Sequence, residues 1–242
     1  IYNGFRLPTI NEYYRPFRVR NDITEANPTL DIERILGLEA GVSYQPLSTL
    51  SFSARYFHLR LRDGVGNITL AYGPGVFPPT GFVPNGGVLR QRENIDETIT
   101  DGFEISGNVM FSHGISLEGS YQFVHARITK FDNNASLIDN KPIQTPKHSL
   151  RGSFKWQPRS DYWLRADLQL DSAVFDDDLN ERELSSIVMA HLSAGYMLTE
   201  NITIKTVVRN IFDEKVIAAL SDDGLETLAQ PRSWTLSLGL KF

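Results

Sequence analysis

Cysteine is absent from all 242 residues, which excludes disulfides and thiolate metal sites. No run of about 18 apolar residues exists, so no transmembrane helix is encoded. The opening Ile1-Tyr2-Asn3-Gly4-Phe5 has no initiator Met, basic stretch or apolar signal core, and the chain reads as a fragment whose export signal has been removed or was never included. No nucleophile sits in a GxSxG elbow and no glycine-rich phosphate loop precedes a helix, which argues against an enzyme. Acidic and basic residues alternate, so nucleic-acid binding has no electrostatic footprint. His58, His113, His125, His148 and His191 form no pair at metal-ligand spacing. No catalytic residue, metal or cofactor is assigned.

What is present looks ordinary by composition: 41% hydrophobic, 22% charged, net charge -5. Those figures describe a soluble protein. A transmembrane β-strand, however, needs only about 9 to 11 alternating residues and leaves the mean hydropathy unremarkable. The last nine residues alternate in this way. Trp234, Leu236, Leu238, Leu240 and Phe242 share one face, and Thr235, Ser237, Gly239 and Lys241 the other. A strand with lipid on one side and an aqueous lumen on the other requires this period of two.

The same pattern recurs over residues 34–45, 49–62, 97–112, 115–129, 147–157, 161–174, 185–198 and 201–210, each of strand length. One face carries Leu36, Leu38, Val42 and Tyr44, then Phe103, Ile105 and Val109, then Leu117, Tyr121 and Phe123, then Val188, Leu192 and Tyr196. The other carries Glu104, Glu118, Arg151, Lys155, Arg165, Asp167, Asp171, Lys205 and Arg209. Asp101 interrupts the apolar face of the third segment. Tyr56-Phe57 shifts the phase of the second, which predicts a bulge or a strand end there.

Connections alternate between short and long. Residues 46–48, 113–114, 158–160 and 199–201 are tight turns; residues 6–33, 63–96, 130–146, 175–184 and 211–230 are long linkers. Outer-membrane barrels pair short periplasmic turns with long extracellular loops, so residues 1–5 run outward and the chain ends in the periplasm. Tyr44, Phe111, Trp156, Tyr162 and Tyr196 lie near the short turns, as a periplasmic aromatic girdle requires. The predicted fold is all-β, an antiparallel up-and-down transmembrane barrel wall of about ten strands. A soluble sandwich or propeller explains the alternation equally well, but not the alternating connections or the charged face.

Four stretches carry a family resemblance. Gly4-Phe-Arg-Leu-Pro-Thr-Ile-Asn-Glu-Tyr-Tyr-Arg-Pro-Phe17, Ala26-Asn-Pro-Thr-Leu30 with Glu33, Arg209-Asn-Ile-Phe-Asp-Glu-Lys-Val216, and Pro231-Arg-Ser-Trp234 through Phe242 resemble, in order and spacing, the carboxy-terminal part of TonB-dependent outer-membrane receptors. Ile32 and Val216 depart from the pattern, standing where Pro and an aromatic are usual. The resemblance implies a 22-stranded parent with an amino-terminal plug and a TonB box, neither of which this chain contains. It also implies a place in the outer membrane of a Gram-negative bacterium. It further implies energised uptake of a scarce bulky solute, such as a ferric siderophore or cobalamin, through the TonB complex acting on the missing plug. Trp234, Leu236, Leu238, Leu240 and Phe242 would be the signal read by the barrel-assembly machinery. Haem is disfavoured as cargo, because no histidine lies between Arg6 and Thr29.

The linker 63–96 is dense in glycine and proline, from Gly64 to Gly87, and is expected to lack regular structure. Its Tyr72, Phe77 and Phe82 above Arg90 and Arg92, together with Arg6, form the candidate surface for a bulky or anionic ligand; packing among the loops themselves is the equal alternative. Asp176-Asp177-Asp178 and Asp222-Asp223 with Glu226 are oxygen ligands suited to Ca²⁺, though solvated loop charge is the commoner use. A passive diffusion channel and a ten-stranded outer-membrane enzyme are the competing functional readings.

Overall fold

The computed structural model describes residues 1–241; Phe242, the last member of the expected assembly signal, lies outside them. Ten strands hydrogen-bond to one another in chain order. They are β1 (Tyr2–Arg6), β2 (Glu33–Leu47), β3 (Leu50–Tyr72), β4 (Val88–Met110), β5 (Ile115–Lys130), β6 (His148–Arg159), β7 (Tyr162–Asp171), β8 (Ile187–Thr199), β9 (Ile202–Arg209) and β10 (Ser233–Leu240). Every neighbouring pair on this path is antiparallel. Among the described residues the sheet does not close, because β1 and β10 each pair on one side only.

Register turns the sequence alternation into two chemically distinct faces. Phe154 lies opposite Ala166, Ala166 opposite Leu192, Leu192 opposite Val208 and Val208 opposite Trp234, one apolar row across five strands. The next row over, Lys155, Arg165, Ser193, Val207 and Thr235, points the other way. The apolar face has no second protein layer against it: Trp234, Leu236 and Leu238 are 70%, 63% and 64% exposed. In a soluble sandwich this row would be buried. Left bare over the whole width of a sheet, it is a surface made for acyl chains.

The band has a height. On β6 the outward column runs from Trp156 to His148, eight steps of about 3.4 Å, which at a strand tilt of about 40° rises roughly 21 Å. That approaches the apolar thickness such barrels present. At the short-turn end Tyr44 meets Phe52 edge-on at 5.4 Å and Trp156 meets Tyr162 at 5.9 Å, with Tyr196 opposite Tyr162. The expected girdle is in place.

Inward, three glycines let aromatic rings lie flat on the wall. Tyr2, Phe57 and Trp163 cover Gly37, Gly102 and Gly195 so closely that any Cβ at those glycines would sit inside the ring. Each pair bridges neighbouring strands, filling with ring carbon the gap that glycine leaves.

Two expectations are corrected here. Residues 63–96 are largely regular: β3 continues to Tyr72 and β4 starts at Val88, so only 73–87 leaves the ladder, and it holds its own small hairpin, Gly75–Phe77 with Gly81–Val83. Glycines inside a strand are tolerated when the partner strand supplies every hydrogen bond. Nor is there a bulge at Tyr56-Phe57; pairing runs unbroken there, and β3 and β4 first shift register between Thr69 and Ala71. The phase inverts because the strand leaves the apolar band. Beyond Tyr56 the outward positions are His58, Arg60 and Arg62. Asp101, the apparent flaw in β4, sits at this boundary and receives Tyr56 Oη at 2.9 Å and His58 Nδ1 at 2.8 Å.

The buried hydrophobic residues lie at the long-loop end, not within the wall. Ile68, Ile128, Phe131 and Leu137 form one cluster; Ile23, Val83 and Leu89 form another, with Ala71 and Phe77 against it. Phe131 and Leu137 are essentially inaccessible. The segment Asp22–Glu25 is drawn into the sheet by parallel pairing of Ile23, Thr24 and Glu25 with Leu89, Arg90 and Gln91 of β4. The outer loops are thus a folded canopy with an interior of their own.

Candidate functional site

The motif residues build this canopy's frame. Thr9 caps the short helix Ile10–Tyr14 through a reciprocal capping box with Glu12. Arg6 reaches from the end of β1 to Glu12 at 2.9 Å and also pairs with Glu33 at the start of β2. The Arg6 guanidinium, aided by the backbone N–H and hydroxyl of Thr9, holds the Glu12 carboxyl at about 2 despite its partial burial. Glu33 also accepts from the Val65 N–H at 2.7 Å. Asn27 donates to the Arg92 carbonyl at 2.9 Å and accepts from Thr29, while its own N–H bonds the Glu12 carbonyl. At the far end, buried Asn210 adopts a left-handed φ of 52°. It clasps Glu214 in both directions at 2.9 Å and donates its N–H to His191 Nδ1 at 3.0 Å. Asp213 accepts from the Arg232 N–H at 2.9 Å, which ties the loop to the strand that follows it.

The six residues expected to bind ligand divide into two groups. Arg92 is 8% exposed, donates to the Asn11 and Arg15 carbonyls at 2.7 and 3.1 Å, and stacks over Phe17 at 5.1 Å. Arg6 is held by its two glutamates, and Phe77 packs on the Ile23 cluster. These three brace the canopy. Tyr72 and Phe82 remain open, at 46% and 58% exposed. Arg90 lines a hollow in the canopy.

That hollow, about 460 Å³, is bounded by Phe17, Arg20, Asp22, Arg90, Arg182 and Asp223, among others. Arg90 pairs with Asp22 at 2.8 Å and Asp222 at 3.3 Å; Arg182 pairs with Asp222, and its Nε is buried without a partner among the described residues. Burial pushes the Asp222 carboxyl up, against the pull of Arg182 and Arg90. A second hollow of about 640 Å³ lies on the inner wall, lined by the hydroxyls of Ser43, Ser53, Ser106, Ser120 and Ser153 beside Arg151 and Arg165. Arg151 grips Asp171 bidentately at 2.9 Å, and Arg165 holds Asp167 at 2.8 Å. Each offers charged side chains, and the inner-wall one hydroxyl donors as well, the chemistry for polar, oxygen-rich molecules.

The consecutive aspartates are loop ties. Asp178 accepts from Thr69 N–H at 2.8 Å and its hydroxyl at 2.6 Å, Asp177 from the N–H groups of Glu181 and Arg182, and Asp176 from Gln144 and the Leu220 N–H. Each carboxylate already has donors. No sequence signal marks this, because Asp178 and Thr69 are 109 positions apart. Asp22, Arg20 and Arg182 entered the hollow for the same reason: only the folded canopy brings them near Arg90.

A lipid-facing apolar wall, a polar lumen side, short turns at one end and folded loops at the other define an outer-membrane β-barrel, here as an open arc. The family model described as TonB dependent receptor-like, beta-barrel, matches residues 2–211. The chain belongs to the TonB-dependent receptor family, a family of receptors and transporters in the outer membrane of Gram-negative bacteria. It is similar to the iron-regulated outer membrane virulence protein of Vibrio cholerae, 26% identical over 197 residues that cover 78% of this chain and 29% of that protein. It is also similar to the metal-pseudopaline receptor CntO of Pseudomonas aeruginosa, 24% identical over 94% of this chain and 30% of that one. Among solved structures, the ferric enterobactin receptor PfeA of Pseudomonas aeruginosa, as a G324V mutant, superposes with a TM-score of 0.69 at 18% identity, over 99% of this chain and 37% of that one. The chain spans about three tenths of the length of the curated relatives it matches.

Proposed function

We propose that this chain is the carboxy-terminal part of the barrel of an energised uptake receptor whose cargo is a bulky metal chelate of the ferric-siderophore kind, with cobalamin the next candidate. The rest of the receptor would supply the remaining wall, the plug and the segment that engages the TonB complex. The observation that carries this reading is the canopy. Long loops folded over their own core and enclosing a charged hollow are the architecture of capture; an open pore needs no such roof. Arg20, Arg90 and Arg182 set among Asp22, Asp176, Asp177, Asp178 and Asp223 give the hollow a mixed-charge lining with donors and acceptors for a polar chelate, and the exposed rings of Tyr72 and Phe82 supply flat contact area. The names of the two curated relatives support the reading, since one refers to iron regulation and the other to a metal-pseudopaline receptor.

The terminal strand, with Trp234, Leu236, Leu238 and Leu240 in one outward row, is offered in this reading as the segment recognised by the barrel-assembly machinery. The test of function uses the intact receptor in cells. Saturable uptake of a ferric siderophore that disappears when TonB is deleted is the expected result. Uptake that rises linearly with concentration and ignores TonB assigns the protein to passive diffusion instead.

A further inference from the structure

The canopy's charge is unevenly shared. Loops 172–186 and 210–232 carry ten acidic residues against three basic ones, a larger excess than the net charge of -5 for the whole chain. Both loops line the canopy hollow, where Arg20, Arg90 and Arg182 face five aspartates with Asp222 behind them. Tyr72 lies in the same field, its ring 46% exposed. Burial pushes the Tyr72 hydroxyl up, and Asp222, Glu181 and Asp177 push it further, with Arg182 opposing.

Two of the arginines are already matched. Arg90 holds Asp22 and Asp222, Arg182 holds Asp222, and only 16% and 15% of their side-chain surface stays open. The acids are not matched. Asp176, Asp177, Asp178 and Asp223 join no ion pair among the described residues; hydroxyl, amide and backbone N–H donors meet their oxygens without cancelling their charge. Nor do three such groups converge as ligands for a bare metal ion among the described residues, so the excess is spread over the hollow. A spread negative field beside an open aromatic ring suits a bulky cation; a compact one needs convergent oxygens.

We propose that the canopy hollow selects its cargo by charge, taking a chelate of zero or net positive charge and rejecting a strongly anionic one. The inference rests on the capture reading above and narrows it. It also reverses the ligand sign that Arg90 and Arg92 suggest when taken alone. The lining holds an excess of three negative charges once Asp222 is counted with the five aspartates against the three arginines. Three charges at about 8 Å, screened by physiological salt, raise the local concentration of a monovalent cation roughly two- to threefold and lower that of an anion as much. For a chelate bearing several negative charges the handicap multiplies.

The experiment uses the intact receptor that carries this chain, in two arms. The chain has no cysteine, so Thr227→Cys gives it a single thiol at an exposed position on the hollow's lining. Its reaction rates with a cationic and an anionic methanethiosulfonate, each divided by the rate of a small free thiol in the same buffer, read the sign of the field. A cation preference of roughly fivefold to tenfold at about 0.1 M salt, falling towards unity at about 1 M, is expected. Adding D223N and E181Q, whose amide oxygens still accept hydrogen bonds, should at least halve that preference. In the second arm the unaltered receptor is titrated with a linear ferric trihydroxamate ending in an ammonium, with its N-acetylated neutral form and with its N-succinylated anionic form. The first two should bind at least about threefold more tightly than the third. A thiol that ignores charge or favours the anion, or tightest binding of the succinylated form, overturns the proposal. Binding of none of the three counts against the capture reading, and the thiol ratio alone then decides charge selection. The titration on the unaltered receptor stands even if the thiol variant fails to assemble.

Discussion

Leu192 and Ser193 differ by one position and, if the wall is oriented as described, by two solvents. Leu192 faces outward, opposite Ala166 on one side and Val208 on the other, and is 47% exposed with no protein over it. It stands four residues above Tyr196 of the aromatic girdle, about 14 Å along the strand and about 10 Å in height at the usual tilt, close to the middle of the apolar band. An arginine placed there should destabilise the barrel by about 2–4 kcal/mol, a roughly 30- to 1,000-fold change in the folding equilibrium. Ser193→Arg points into the lumen and should change stability by less than about 1 kcal/mol, as surface substitutions do. Urea titration of the intact receptor in lipid vesicles, read by heat-modifiable gel mobility, measures both. Equal costs for the pair, or a larger cost for Ser193→Arg, would refute the assignment of lipid and lumen faces.

Other perturbations test the inner wall and the canopy. Gly195→Ala places a Cβ within 2.4 Å of the Trp163 ring, so assembly yield should fall, and Trp163→Ala should suppress the defect in a non-additive cycle. Asn210→Ala removes the two-way clasp on Glu214 and should cost about 1–3 kcal/mol, seen as faster protease cleavage within residues 211–230 with the wall intact. Glu12 has a depressed pKa, about 2. Its contribution is therefore complete above the ordinary carboxylate range near 4 and is lost as pH falls through about 2. Amide exchange over Ile10–Tyr14 should accelerate across that interval, and Glu12→Gln should abolish the pH dependence; acceleration on raising the pH from neutral, beyond the intrinsic rate, would contradict the sign.

The wall was readable because a two-residue period survives in any window of ten residues. β6 through β10 fall within a few residues of the alternating segments, and β1 is the expected stub of five. The upper halves of β3 and β4 were not readable. Gly64, Gly66 and Asn67 signal a turn when considered locally, and only the facing Ile95, Glu93 and Arg92 hold them extended. The phase change at Tyr56-Phe57 was seen in the sequence but given the wrong cause, since a bulge and a boundary between solvents invert the pattern alike. The expected ligand residues separate according to long-range partners: Arg92 is engaged by Asn11 and Arg15, Arg90 by Asp22 and Asp222, and nothing within a few residues of either arginine forecasts the difference. The aspartate run was recognised as ligand-like oxygen; Asp177 takes its donors from Glu181 and Arg182 of its own loop, but those of Asp176 and Asp178, Gln144, Leu220 and Thr69, are distant in sequence.

Because the canopy keeps its apolar residues inside and the wall keeps them outside, two different media hold the two parts of this arc together. Water expels Phe131 and Leu137 into the loops' interior, so chaotropes and cold should loosen the roof first. Acyl chains receive Leu192, Leu236 and Leu238, so the detergent or lipid that replaces the bilayer governs the staves. A preparation in which the staves persist while the roof has melted would still migrate as a folded barrel and yet have lost the hollow that Arg90 and Arg182 line.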